Sequence, residues 1–246
     1  MRRFFLESNK IEEGKTILEE SEARHIGRVL RLGVGDNLYL LDEKGWEYQA
    51  VITSKSSKTV GVEIVKKRPP QENSAINIIL GQALPRAQKM DYIVQKATEL
   101  GVSTIIPFTS TRSVPVLDDE RSKKKYDRWQ RVAREATKQC GRVVVPQIEG
   151  GMSFKKILAK SDDNSLKIML WEDEKNTTLK EVLKENQTPK KVVSLIGPEG
   201  GFTPDEVDMA KQAGFKTVSL GKYVLRTETA GPYLLGVLHY EWGDLS

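Results

Sequence analysis

Two adjacent prolines, Pro69 and Pro70, sit in the stretch "KKRPPQENS" (66–74), and the residues on either side keep different apolar periods. That division limits the fold more than any other feature. The stretch is polar and its prolines exclude regular structure, so it reads as a linker. Before it, "NLYLL" (37–41), "EYQAVIT" (47–53) and "TVGVEIV" (59–65) are short strand-type runs with turn signals between them. One helical stretch, "SEARHIGRVL" (21–30), interrupts them, with Ser21 as a candidate cap and Ile26, Val29 and Leu30 on its apolar face. A small β-barrel over residues 1–70 is the simplest reading. After the linker, apolar runs alternate with helical patterns. "AINIILGQAL" (75–84), "STIIPF" (103–108), "LKIMLW" (166–171), "KVVSLIG" (191–197) and "TVSLG" (217–221) predict strands. "KMDYIVQKATEL" (89–100), a long segment around 126–139, "LKEVLKE" (179–185) and the last stretch to Trp242 predict helices. Such alternation implies βαβ units and a mostly parallel α/β sheet over residues 71–246.

Two glycine-bearing loops follow strands in the second half. "SLIGPEGGF" (194–202) packs three glycines and a proline into five residues at a strand end. Thr203 as N-cap, Pro204 at the first helical position and Glu206 closing a capping box then start a helix, which Gly214 ends. "SLGKYVLRTETAGPYLLGVL" (219–238) repeats the arrangement of strand end, irregular polar segment and helix. Taken alone, such glycines can serve only to turn the chain. Together the two loops build one backbone-lined concavity at the carboxyl ends of parallel strands, where α/β sheets bind ligands. Arg226 and Glu228 add convergent charge. Neither a P-loop nor a dinucleotide fingerprint is present.

Composition excludes several classes. One cysteine, Cys140, rules out an internal disulfide and a thiolate metal cluster, and two histidines, His25 and His239, make a histidine-rich metal site an unlikely fit. No metal is expected. No apolar run approaches a membrane span and no signal peptide is visible, so the cytoplasm is the expected compartment. The net charge of +5 is concentrated: between Arg112 and Arg142 there are ten Lys or Arg against five Asp or Glu, so the remainder sums to zero. At 100° per residue, Trp129, Val132, Ala133, Ala136 and Cys140 share one face of the helix there, and Arg131, Arg134, Lys138 and Arg142 the other. The basic face suits phosphate contact; the apolar one predicts a buried, inert Cys140. Arg3, Arg24, Arg28 and Arg31 offer further phosphate contacts from the barrel half. His239, in an apolar helix, reads as a packed residue.

"LIGPEGGF" with "LGKYVLRTETA" resembles the ribosomal RNA small-subunit methyltransferase E family of the SPOUT superfamily. "RHIGRVLRLGVGD" (24–36), "QKATELGV" (95–102) and "RWQRVAREATKQCGRVVVPQI" (128–148) agree, so the resemblance covers nearly the whole chain. It implies a PUA-like β-barrel followed by an α/β domain with a deep trefoil knot. It implies S-adenosylmethionine (S-adenosyl-L-methionine) as cofactor, N3 of a uridine in 16S ribosomal RNA of the small subunit as target, and a homodimer formed through the knotted domain. Carried over residue by residue, cofactor contacts fall on Leu170, Glu172, Ile196, Gly197, Pro198, Glu199, Gly200 and Gly201, and on Leu220, Gly221, Val224, Leu225, Arg226, Thr229 and Ala230. Arg226 is the candidate for offsetting charge on the uracil and Glu228 for catalysis, with Glu199 fixing its loop. The chain departs from the pattern at Lys222, Tyr223 and Val224, where family members often carry arginine and isoleucine. A knotted enzyme acting on ribose 2′-OH or on transfer RNA, and a non-catalytic RNA-binding assembly factor, are the alternatives.

Overall fold

The computed structural model describes residues 3–42, 44–70, 76–113, 119–160 and 164–243. The chain forms two compact units, one of Met1–Glu72 with Thr137–Val144, the other of Asn73–Ala136 with Val145–Ser246. The end of the long basic helix thus belongs to the first unit, which sequence reading had confined to residues 1–70.

The first unit is a five-stranded sheet. Its strands are β1 (Arg3–Phe5), β2 (Lys15–Glu19), β3 (Asn37–Leu41), β4 (Glu47–Lys55) and β5 (Thr59–Arg68), in the order β1-β3-β4-β5-β2. Only β1 and β3 run parallel. Between β2 and β3, helix α1 (Glu20–Arg24) passes into a π-helical turn, His25–Val29, and Ser21, the candidate cap, lies within the helix range. Alternate residues, among them Leu38, Leu40, Ala50, Ile52, Val60 and Val62, point inward and pack on Phe4, Leu18 and Ile26. Register shifts in the β4–β5 ladder curl the sheet around this core. The expected linker begins late: Lys66, Lys67 and Arg68 pair with Gln49, Tyr48 and Glu47. Lys67 lies 3.9 Å from the Trp46 ring centroid and Arg68 bonds Glu47 at 3.1 Å, which holds a cationic run in a strand. Residues 71–74 lie outside the described residues.

The second unit is an all-parallel sheet with helices on both faces. Its elements are β6 (Asn77–Ala83), α2 (Lys89–Glu99), β7 (Thr104–Thr109), α3 (Asp119–Cys140), β8 (Gln147–Ile148), β9 (Met152–Ser153), α4 (Phe154–Lys160), β10 (Leu166–Leu170), α5 (Leu179–Glu185), β11 (Lys191–Ile196), α6 (Pro204–Gln212), β12 (Lys216–Val218) and α7 (Thr227–Trp242). Strand order is β12-β10-β11-β6-β7-β8, with β9 also on β7. Period-two alternation sends Ile168, Leu170, Val192 and Ile196 to one core, shared with α2, α5 and α7. Met169, Val193 and Leu195 go to the other, with Phe154, Phe202 and Val207. Among the described residues no helix is long and apolar enough to cross a membrane.

The order matters because β10, β11 and β12 end side by side. The chain leaving β10 also wraps the end of β12. Trp171 donates its N–H to Val218 O at 3.1 Å. Main-chain groups alternate edges along a strand, so Ser219 faces the opposite side. There it donates to Thr177 O at 3.0 Å and accepts from Leu179 N at 3.1 Å. Glu174 fastens the wrap: its carboxylate accepts from Asn176 N (2.9 Å), Thr177 N (3.3 Å) and the Thr217 hydroxyl (2.5 Å). The Thr217 bond, then the backbone donors, hold this carboxyl below the usual range.

Candidate functional site

A cleft of ≈ 390 Å³ opens at these three strand ends. Its walls come from the loops 170–172, 196–201 and 218–227, closed by Lys89 and Ala230. Of the fifteen residues expected to contact a cofactor, thirteen line it. Gly200 and Thr229 do not. Lys89, Trp171, Val218, Ser219, Lys222, Tyr223 and Thr227 line it as well, none of them among the fifteen expected contacts. Lys89 had no local signal, since its place depends on β6 lying beside β11.

The first glycine loop is tied down at several points. Thr203 and Glu206 form the expected capping box, and the Glu206 carboxylate also takes Thr111 N at 2.8 Å. Phe202 inserts behind the loop, stacked on Phe108 at 6.3 Å. The buried amide of Gln82 donates to Thr227 Oγ1 at 2.9 Å, and that hydroxyl donates to Gly197 O at 2.6 Å. Arg112 Nη1 bonds Gly200 O at 2.6 Å. A Cβ on Gly200 would meet Arg112 at 3.3 Å, so this glycine backs onto the protein and does not face the cleft. Gly201 is the constrained one. Its φ of +67° is left-handed, its N–H closes a turn to Pro198 O at 2.9 Å, and a Cβ would run into the Glu172 carboxylate.

Glu199 and Glu228 share one cation. Lys89 Nζ forms ion pairs with both, 2.9 Å from Glu199 Oε1 and 3.3 Å from Glu228 Oε2. Glu199 also accepts from Arg86 N at 3.1 Å. Burial alone would push the Glu199 carboxyl up; Lys89 and the backbone donors outweigh it and hold the group below the usual carboxylate range. Lys89 is raised, by the Glu199 bond first, against burial, and then by Glu228. Glu199 lines the cleft, whereas Glu228 stands behind Lys89, off the wall. A carboxylate of depressed pKa is a weak proton acceptor, so this geometry suits Glu199 to holding its loop.

The second glycine loop is the opposite. No main-chain N–H or C=O from Leu220 to Leu225 bonds another described residue. Gly221 has φ +119°, and a Cβ there would meet no protein atom within 4 Å. Arg226 is exposed at the N-cap of α7, and among the described residues no carboxylate pairs with it. Six residues of unpartnered main chain along a cleft offer donors and acceptors for the adenine, ribose and carboxylate of a nucleoside ligand. The residues present therefore fit S-adenosylmethionine.

The basic candidates divide. Arg3 is committed to Glu47 through Nε (3.2 Å) and Nη2 (3.0 Å), and Lys138 to Glu22 at 2.8 Å. Arg24, Arg28, Arg31, Arg131 and Arg134 are exposed; Arg142 is half-buried. Trp129, Ala133 and Ala136 are buried as expected, but Cys140 is exposed, because α3 ends there and its apolar stripe has run out. His25 packs edge-on against Phe4 at 5.8 Å, and His239 is buried in α7.

A doubly covered parallel sheet with a backbone-lined cleft, beside a separate β unit, defines a class that the comparisons make specific. The family model for an RNA methyltransferase domain matches residues 71–239, and that for an RNA methyltransferase PUA domain matches residues 18–65. The chain is thus built as an RNA methyltransferase with a PUA domain. It is 32% identical to the ribosomal RNA small subunit methyltransferase E of Bacillus subtilis, over 98% of this chain and 97% of the relative. Identity to the protein of that name in Aquifex aeolicus is 34%, over 90% and 93%. The chain belongs to the ribosomal RNA small subunit methyltransferase E family. Its fold superposes on the Neisseria gonorrhoeae member bound to S-adenosyl methionine with a TM-score of 0.90, at 31% identity and covering 100% of both chains. A Legionella pneumophila methyltransferase in complex with SAM gives 0.89, at 30% identity and 99% and 98% coverage.

Proposed function

We propose that this protein methylates N3 of a uridine in 16S ribosomal RNA of the small subunit, with S-adenosylmethionine as donor. The observation that carries the reading is the cleft at the ends of β10, β11 and β12, bounded on one side by unpartnered main chain. When bound, the cofactor supplies an electrophilic methyl group on a sulfonium. The remaining task belongs to the protein. Uracil N3 carries a proton and its lone pair is delocalised, so transfer requires that proton to leave and the resulting charge on the two flanking carbonyl oxygens to be offset. Arg226 presents an unpaired guanidinium at the cleft for that purpose. Lys89, held cationic by Glu199 and Glu228, adds a second fixed charge. Glu228 acts through Lys89, as a positioning residue. The open cleft lets solvent take the proton.

The cofactor contacts fall on the thirteen lining residues, with Gly200 and Thr229 supporting their loops from behind. Arg24, Arg28 and Arg31 of the barrel unit and Arg131 and Arg134 of α3 are the phosphate contacts in this reading. Residues 1–70 serve as the RNA-binding part and 71–246 as the catalytic part. The wrapping of the end of β12 by 171–178 is the observation that supports a trefoil knot in this reading. Dimerisation through the knotted unit has exposed Tyr92, Tyr233 and Tyr240 in its favour; the apolar residues of α7 otherwise fill the core. A soluble partner of the ribosome works in the cytoplasm.

The test is methyl transfer from labelled cofactor to small ribosomal subunits from a strain deleted for this gene, with the modified nucleotide mapped by mass spectrometry. A methyl group on uridine N3 is the expected result. Label on a ribose, on transfer RNA only, or on nothing would overturn it.

A further inference from the structure

The second glycine loop carries side chains that cofactor binding does not explain. Tyr223 is 73% exposed and Val224 78%, and both line the cleft. The other exposed tyrosines, Tyr92, Tyr233 and Tyr240, sit on helices and off its wall. Lys222 Nζ lies 5.2 Å from the Tyr223 ring centroid, so a cation already rests on this aromatic. From Ser219 to Thr227 the chain has two cations, Lys222 and Arg226, and no acid. The main chain around Tyr223 is unbonded, and Gly221 gives the segment a hinge without steric contact.

An aromatic ring left in water at the mouth of a ligand cleft, flanked only by positive charge, suits a flat partner attached to phosphate. We infer that Tyr223 is a stacking platform for a base of the substrate RNA, with Lys222 holding the adjoining phosphate. The inference rests on the proposed function and extends it to how the substrate is gripped. An enzyme that modifies a base edge must hold the base out of its stack, and an aromatic face compensates for the lost neighbour. The loop's lack of internal bonds lets it close on the base after the RNA arrives.

Four proteins test this: the wild type, Tyr223→Phe, Tyr223→Leu and Tyr223→Ala. Each is measured for affinity toward unmethylated small ribosomal subunits, for cofactor affinity by calorimetry, and for mass in solution by light scattering. Tyr223→Phe should bind subunits within about twofold of wild type, and the Leu and Ala variants about 5- to 150-fold more weakly. Cofactor affinity and mass should not change. A Leu variant equal to Phe would mean that the position needs only apolar cover, and would overturn stacking. A fall in mass would assign Tyr223 to a contact between copies of the chain, and a parallel loss of cofactor affinity would assign it to the cofactor; either overturns the inference. Wild-type protein that methylates no RNA overturns the functional reading itself, and the inference with it.

Discussion

The two glycine loops of the cleft resemble each other in sequence and differ in almost every physical respect. Loop 197–203 is tied down: Thr227 holds Gly197 O, Arg112 holds Gly200 O, Lys89 holds Glu199, and a buried phenylalanine and a capping box close it. Loop 220–226 makes no main-chain bond to the protein before the N-cap of α7. One wall is therefore a fixed template, and the other is a segment anchored at its ends by Leu220 and Leu225, packed against the core, with no main-chain bond between them. Fixed donors cost no ordering free energy when a ligand binds, while a loose segment can close over a large substrate after it arrives. A methyltransferase needs both, since a small donor and a bulky RNA must meet in one cleft.

The largest expected effect lies where the loose loop meets the rigid helix. Replacing Arg226 by Ala should lower single-turnover methyl transfer by a factor on the order of 10²–10³, as for loss of one donor to a developing oxyanion. Cofactor affinity should change far less, because in the proposed reading only the main chain of Arg226 meets the cofactor and its guanidinium faces the uracil. Arg226→Lys should recover little, since an ammonium lacks the planar fork. A full rate in Arg226→Ala would leave charge stabilisation to Lys89 alone.

Glycine substitutions separate the walls directly. Gly201→Val places a β-branched residue at φ +67° against Glu172. It should cost on the order of 1–3 kcal/mol in stability, and cofactor affinity should fall with it. Gly221→Val stands at φ +119°, but its side chain would meet no protein atom, and the unbonded main chain around it can adjust to relieve the strain. Its melting temperature should stay near wild type while cofactor affinity falls. Calorimetry and thermal melts on both variants check this; equal melting losses would show that the loops are equally constrained.

A smaller effect probes the clamp. Thr227→Val keeps the shape but removes the donor to Gly197 O and the acceptor for the Gln82 amide. Unmaking buried bonds of this kind costs about 1–3 kcal/mol. Denaturant unfolding should register that loss, and the Michaelis constant for cofactor should rise more than the turnover falls. An unchanged unfolding midpoint would mean that the loop holds without its clamp.

How much of this was readable from residue order depends on range. The strand-only and alternating halves were legible because apolar period is local, and so was the Thr203–Glu206 capping box, whose partners lie three residues apart. The choice between Gly200 and Gly201 was not, because it turns on a backbone angle and on whether Arg112 or Glu172 stands opposite. Lys89 was invisible for a like reason: it lies more than a hundred positions from Glu199, and only the β6–β11 pairing brings them together. Lys138 counts as a phosphate contact on a helical wheel but spends its charge on Glu22. The wrap of 171–178 around the end of β12 rests on main-chain bonds between distant positions, which no local pattern encodes.

The weakest expected effect concerns the ion pair behind the rigid loop, and its sign follows from the two shifts. Glu199 has a folded pKa below the ordinary 4.5, so its contribution is fully present above that value and is lost as pH falls through the folded pKa. Lys89 is raised above 10.5, so its contribution is fully present below 10.5 and is lost as pH rises through the folded value. Between those limits the pair should add a flat increment. The increment is small, because both side chains keep about a third of their surface in solvent; a pair of this kind is worth about 0.2–1 kcal/mol. In Lys89→Met the largest influence on Glu199, its burial, is opposed only by backbone donors, and its pKa should rise. The acid limb of the melting curve against pH should then move to higher pH than in wild type, with the neutral plateau slightly lower. Arg112→Met, which leaves Lys89 in place, should lower the plateau without moving that limb. If both variants shift the limb alike, Glu199 is held by the loop as a whole and not by its lysine, and the rigid wall owes its order to packing around Phe202.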